Sequence, residues 1–273
     1  MHYRTPLIAA VVSAFCASCL RLDPIEPNKP LTAGGYHVLF VGNSLTSTND
    51  LPATLSAIAT SAGDTIQVAT EAGPNLALID HLGGGSSAAM KIAQGGWDYV
   101  VLQQGPTPAG ICRDSLVFWT KLFNSRIRAV GAQPAILMVW PILGVGPPFD
   151  DVRVSFQMAA AEVKGTFLPA GEAWRAALRA DATLQLYSSD GFHPSPIGTF
   201  LAALEIYERL TGRDPRSLPP LAFSNGQRLS LPEATIRLLQ AAAHEANAMF
   251  PASPAVPYVP TTNPSTPSRG DHC

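Results

Sequence analysis

His37-Val38-Leu39-Phe40-Val41 runs straight into Gly42-Asn43-Ser44, and the reading of that junction decides the fold. A short, nearly continuous apolar run without polar alternation predicts a strand buried on both faces, and the glycine ends it. Such a strand belongs to a parallel sheet covered by helices on each side. Further along the chain the same unit repeats. Strands are expected at Ile66–Thr70, Tyr99–Leu102 and Ala135–Trp140, with a short one at Thr166–Leu168. Helical spacing marks Leu51–Ala62, Ser86–Gln94, Asp114–Val130, Asp151–Lys164, Ala173–Ala182, a segment from Pro196, and Ala234–Met249. Alternation of this kind predicts an α/β fold. In open parallel sheets ligands bind beyond the carboxyl ends of the strands. The residues just after each strand are therefore the ones to search for chemistry.

Composition narrows the classes. The chain has 273 residues, 47% of them hydrophobic and 14% charged, enough for a sizeable core and against wholesale disorder. A formal net charge of −2 with no basic stripe argues against nucleic acid as a partner. Four cysteines in this length do not make a disulfide scaffold, although Cys112 and Cys273 could pair in an oxidising compartment. Residues 1–19 read as an export signal: Arg4, an apolar run from Leu7 to Ala17, then Cys16-Ala17-Ser18-Cys19, which resembles a lipobox with Cys19 as the lipid-bearing residue. A plain cleaved signal is the alternative. Residues 20–35 read as a linker, 36–250 as the folded domain, and 251–273 as a Pro-rich disordered tail. The expected location is outside the cytoplasm, as an envelope lipoprotein or a periplasmic or extracellular protein. The only membrane link expected is a lipid on the N-terminus.

Ser44 sits where a tight glycine turn can lift a hydroxyl to the mouth of the cleft. Its backbone N–H can also face a substrate oxygen there. Serine needs a base. Of six histidines, His2 lies in the leader, His272 in the tail, His37 at the wrong end of a strand and His244 in the last helix. His81 is a possible substrate contact. His193 lies in Asp190-Gly191-Phe192-His193-Pro194, where a carboxylate three residues ahead of an imidazole can fix its tautomer. Taken alone, Ser44 could be a helix cap and Asp190-Gly191 an exposed turn. No G-x-S-x-G, P-loop or H-E-x-x-H motif is present, and no paired C-x-x-C follows the leader, so no metal or cofactor is expected. Gly83-Gly84-Gly85-Ser86-Ser87 could bind an anion at a helix N-terminus, but reads more readily as a loop.

Together, Val38-Leu39-Phe40-Val41-Gly42-Asn43-Ser44-Leu45-Thr46 and Asp190-Gly191-Phe192-His193-Pro194 resemble the first and last blocks of the SGNH (GDSL-type) hydrolases, in a branch that reads G-N-S. The resemblance implies a three-layer α/β/α sandwich on a parallel, flavodoxin-like sheet of about five strands. It implies ester hydrolysis through an acyl-enzyme, with Ser44 as nucleophile, His193 as base and Asp190 as orienting acid. It also implies an oxyanion hole of the Ser44 and Gly73 N–H groups and a third donor. The usual G-x-N-D third block is replaced by Gln103-Gln104-Gly105-Pro106, and Gln104 is taken as the donor because it precedes Gly105. A Gln-Gly pair here resembles carbohydrate-acetylesterase branches, so a small-molecule or glycan ester is the expected substrate. A lipase or thioesterase is the alternative, with Ile142–Phe149 and Trp140 lining a longer acyl pocket. A surface-anchored binding module on the same fold is the other.

Overall fold

The computed structural model describes Met1 and residues 35–260. The expected leader, Cys16, Cys19, nearly all of the linker, and residues 261–273 with Cys273 lie outside these. The central strand is β1 (Tyr36–Asn43), and all of its residues but His37 are buried. It pairs in parallel with β2 (Ile66–Gly73) on one side and β3 (Tyr99–Gln103) on the other. Beyond β3 come β4 (Gln133–Leu137) and β5 (Thr166–Leu168), also parallel. The order β2-β1-β3-β4-β5 is the flavodoxin-like one. The continuous apolar runs thus lie at the centre of a sheet with helices over both faces, a three-layer α/β/α sandwich.

The helices follow from their caps and apolar faces. After β1 come a one-turn α1 (Ser44–Ser47) and α2 (Leu51–Ser61). Asp50 caps α2 by accepting from the Ala53 N–H at 3.0 Å, and Pro52 occupies its first turn. α3 (Leu78–Leu82) and α4 (Ala88–Gln94) follow β2; sequence spacing predicts only one helix there, from Ser86. α3 is five residues long, below the length at which a period can be read. Next come α5 (Ile111–Ala129), α6 (Phe149–Glu162) and α7 (Ala170–Ala180), each starting two or three residues ahead of its expected boundary. α8 (Pro196–Thr211) has Ser195 as N-cap and Gly212, at φ 72°, as its left-handed stop. α9 (Glu233–Met249) closes the domain. α2, α7, α8 and α9 pack as one group, and α3 to α6 as another.

One element went unread in the sequence. β6 (Ala222–Ser224) and β7 (Gln227–Leu229) form an antiparallel hairpin beside α2 and α8. Its turn is Asn225-Gly226, both at positive φ (51° and 70°), the pattern a two-residue hairpin turn requires. Past α9 the chain is irregular but tied: Phe167 N–H on β5 donates to Ala252 O at 2.7 Å, and the Tyr258 hydroxyl pairs with Asp114 at 2.7 Å. Cys112, at the start of α5, is disulfide-bonded. Among the described residues no helix is long and apolar enough to cross a membrane.

The α8 core holds one ionisable anomaly. Glu205 is fully buried, neither carboxylate oxygen has a hydrogen-bond partner among the described residues, and Arg209 Nε stands 3.9 Å away. Burial pushes its pKa up to about 8, against the pull of Arg209. In the unfolded chain the group returns to the ordinary value of 4.5. Between those values the unfolded chain releases a proton that the folded chain keeps, so stability falls as pH rises through the window. Thermal melts at pH 5 and pH 8 check this: the wild type loses more Tm on going to pH 8 than Glu205→Gln does.

Candidate active site

Ser44 opens α1 directly after β1, and the turn from β1 is built by side chains. Asn43 accepts from the Leu45 N–H through Oδ1 at 3.0 Å, capping α1. The Gln103 Oε1 accepts from the Asn43 N–H (2.8 Å) and the Thr46 hydroxyl (2.9 Å). A larger residue at Gly42 would displace the Gln103 amide, since a Cβ there would stand 2.4 Å from Gln103 Oε1 and 2.8 Å from Thr46 Oγ1.

Across the cleft, Asp190 organises a tight turn before α8. Its Oδ1 accepts from the N–H groups of Phe192 (2.9 Å) and His193 (3.0 Å), and Oδ2 lies 2.6 Å from His193 Nδ1. His193 Nε2 lies 2.9 Å from Ser44 Oγ, joining residues 149 apart in sequence. A carboxylate at Nδ1 requires the proton there, which leaves Nε2 to accept from the Ser44 hydroxyl. The three candidate residues thus stand in one hydrogen-bonded line. The acid is not buried: the Asp190 side chain is 49% exposed. Its ionisation comes from hydrogen bonds instead. The bond to His193, then those from the Phe192 and His193 N–H groups, hold its pKa down at about 2.

The turn is anchored from below. Trp140 Nε1 donates to Phe192 O at 3.0 Å. The Trp140 ring stacks on Trp174, with centroids 3.6 Å apart and an interplanar angle of 4°, and Tyr187 meets Trp174 edge-on. Trp140 is therefore no wall of an acyl pocket: it is 2% exposed and spent on the histidine turn. Gly198 lets Trp174 in, since a Cβ there would come 2.4 Å from its ring. Asn49 links the two halves of the site. Held at φ 56°, it donates from Nδ2 to Pro194 O (2.8 Å) and Thr199 Oγ1 (3.2 Å). Sequence reading passed over Asn49; the Asn-Asp pair ahead of a helix, both tolerant of positive φ, was the available signal.

Gly73 and Gln104, the other expected oxyanion donors, end up at the same edge. Gly73 stands opposite Asn43 in the ladder, one residue from Ser44, and Gln104 follows directly on β3. Gln104 is buried; its Oε1 makes one long contact to the Leu78 N–H (3.4 Å), and its Nε2 has no partner among the described residues. His81 is not placed as a substrate contact. It is 1% exposed, with Nε2 2.9 Å from Gly42 O and Nδ1 2.7 Å from Ser86 Oγ. The glycine-rich loop meets an internal anion: Glu71 accepts from the Ser87 hydroxyl (2.7 Å) and N–H (3.2 Å) and pairs with Lys91 (2.7 Å). Burial works to raise the Glu71 pKa, but these bonds outweigh it and the pKa lies below the ordinary value.

Among the described residues, Glu208, Asp214 and His244 come within metal-ligand reach of one another. Their atoms are already used between α8 and α9. His244 bonds Glu208 (2.7 Å), Arg216 holds Asp214, and Asn247 donates to Glu208.

No protein-family model matches the chain, and neither does any curated protein. Solved structures do. A candidate SGNH hydrolase from Slackia heliotrinireducens is 27% identical with a TM-score of 0.54, over 64% of this chain and 98% of that one. A DUF4886 family protein from Bacteroides uniformis is 20% identical, with a TM-score of 0.60 over 81% and 97%. A candidate GDSL-like lipase from Parabacteroides merdae is 15% identical, with a TM-score of 0.51 over 65% and 95%.

The Asp190 geometry yields a separable prediction. Asp190→Asn keeps an oxygen for the two turn N–H groups but turns an amide NH2 toward Nδ1, which forces the wrong tautomer. Steady-state kinetics should show kcat lower by about 10³–10⁴, while Tm stays within about 2 °C.

Proposed function

We propose that this chain, a member of the SGNH hydrolase superfamily and an ester-hydrolysing enzyme, works through an acyl-enzyme on Ser44. The observation that carries the reading is the unbroken line Asp190 Oδ2–His193 Nδ1, His193 Nε2–Ser44 Oγ, at 2.6 and 2.9 Å. In this reading Ser44 Oγ attacks the ester carbonyl as His193 takes its proton at Nε2. The growing imidazolium charge faces Asp190, whose low pKa keeps it ionised. The Ser44 and Gly73 N–H groups and the Gln104 amide hold the oxyanion. His193 then protonates the leaving alcohol, and water repeats the sequence to free the acid.

We take Gln104 over Gln103 as the third donor because it directly precedes Gly105. The Asn43 N–H can only donate, so the Gln103 atom facing it is the oxygen, and that oxygen is committed beneath the turn. The NH2 groups of Gln103 and Gln104 are both without a hydrogen-bond partner among the described residues. For substrate we favour short acyl esters, acetyl esters of carbohydrate among them, on the Gln104-Gly105 pair. One observation favours longer acyl chains as a second reading. Leu143 and Val145 are 60% and 83% exposed, on a loop whose Leu143 N–H donates to Gly191 O at 2.9 Å, within the histidine turn. We place the enzyme outside the cytoplasm, as the leader-like residues 1–19 suggest, either as a lipoprotein anchored at Cys19 or as a periplasmic or extracellular protein; the disulfide at Cys112 supports an oxidising compartment.

The test uses p-nitrophenyl esters of increasing chain length and a fluorophosphonate probe. The wild type should turn over acetate and label covalently, and Ser44→Ala should lose both, with kcat down by about 10⁴ or more. A folded wild type that does neither would sink the reading. A rate that climbs with acyl length, and falls in Leu143→Ser, would move it to the longer-chain alternative.

A further inference from the structure

The last peptide group before Asn43 is gripped at both ends by buried side chains that take no part in the chemistry proposed above. β1 stays paired with β3 only as far as Val41, opposite Leu102, while on its other side it stays in register with β2 as far as Asn43, opposite Gly73. The Gly42–Asn43 peptide comes next. In a trans peptide the C=O and N–H point in opposite directions, so two separate groups are needed to hold it. His81, from α3, takes the Gly42 carbonyl at 2.9 Å; Gln103, at the end of β3, takes the Asn43 N–H at 2.8 Å. Both residues are 1% exposed.

The protonation pattern is dictated by the partners. A carbonyl only accepts, so His81 Nε2 carries the hydrogen. Burial lowers the His81 pKa and keeps the ring neutral, so Nδ1 must accept. Ser86 supplies that hydrogen: its oxygen already accepts from the Ala88 N–H at 3.1 Å, and its O–H is free to donate to Nδ1 at 2.7 Å. The chain therefore runs Ser86 O–H to His81 Nδ1, and His81 Nε2–H to Gly42 O. On the far side Gln103 Oε1 also takes the Thr46 hydroxyl, and the Asn43 side chain takes the Leu45 N–H. These bonds bracket Ser44 on both flanks, and none of them uses the Ser44 N–H.

We propose that His81 and Gln103 are a pair of positioning residues that lock the Gly42–Asn43 peptide and so aim the Ser44 hydroxyl and N–H at one substrate oxygen and carbon. The proposal rests on the serine-esterase reading. Misplacing reacting atoms by about 1 Å costs on the order of 10²-fold in rate. The loss should appear in kcat and not in KM, because the clamp touches no substrate.

The experiment compares wild type, His81→Leu, His81→Gln and Gln103→Leu on p-nitrophenyl acetate, with kcat expressed per site titrated by the fluorophosphonate. Counting sites removes the effect of any unfolded fraction. His81→Gln can place an amide NH2 near the lost Nε2–H, whereas His81→Leu cannot. The expected result is kcat per site down about 10–100-fold in His81→Leu and Gln103→Leu, KM within about 3-fold, and recovery to within about 3-fold of wild type in His81→Gln. Equal kcat per site in His81→Leu and an active wild type would overturn the clamp and leave the esterase reading standing. A drop in His81→Gln as large as in His81→Leu would also overturn it. An inactive, unlabelled wild type would remove the esterase reading and the clamp together. If His81→Leu does not fold, Gln103→Leu takes its place, since it removes the acceptor of the Asn43 N–H directly. A kcat per site lower by about 10–100-fold supports the clamp there, and an unchanged one overturns it.

Discussion

On its β3 side the ladder of β1 ends at Val41, although β2 stays paired with it as far as Asn43, and the polar groups left without a ladder partner there must find another. This requirement shapes the rest of the site. A strand buried on both faces cannot leave backbone N–H or C=O groups unpaired, since each would cost about 1–3 kcal/mol. Water is excluded from the centre of the sheet, so side chains take over where the neighbouring strand stops. His81 and Gln103 cover the last peptide, and the Asn43 amide covers the first turn of α1. Gly42 is the consequence: a Cβ would occupy the place of the Gln103 oxygen. The position of Ser44 is thus set by how the end of a strand is satisfied.

The histidine half of the site solves a different problem. It is a turn, exposed on one side, and must be held still against solvent. The carboxylate of Asp190 gathers two N–H groups and the imidazole, so one side chain both shapes the turn and orients the His193 ring. Beneath it the Trp140–Trp174 stack brings apolar burial and one N–H to the Phe192 carbonyl. Such aromatic pairs contribute about 0.5–1.5 kcal/mol beyond their buried area. Asn49 then fastens the two halves together through Pro194 and Thr199. The 2.9 Å contact of His193 with Ser44 is the outcome of two rigid mounts joined by a cross-tie.

Charge is managed locally throughout. Asp190 is kept ionised by donors, although it is half exposed, and needs no apolar shell. Glu71 takes the N-terminal end of α4 together with Lys91, so the glycine-rich loop is already supplied with an anion from its own chain. Glu205 is the contrast. Without donors on its oxygens among the described residues, it is driven toward the neutral form by burial.

Much of this was legible in the residues alone. Continuous apolar runs report burial on both faces, so the strands and their parallel pairing could be read, together with the edge at which Ser44 and His193 meet. Short-range spacing reports turns, so Ser44 after Gly42, and Asp190 three residues ahead of His193, could be picked out. The Asn225-Gly226 hairpin was equally legible and was passed over, because its strands are only three residues long. Other features had no local signal. His81 lies on a helix of five residues, and its partner at Gly42 is 39 residues away. Trp140 reads as a pocket wall until the chain brings Trp174 against it. Periodicity and spacing describe what a residue's immediate neighbours demand. Which distant side chain answers an unpaired backbone group depends on the strand order and on the packing of helices across the sheet, and that was settled only when the whole chain folded.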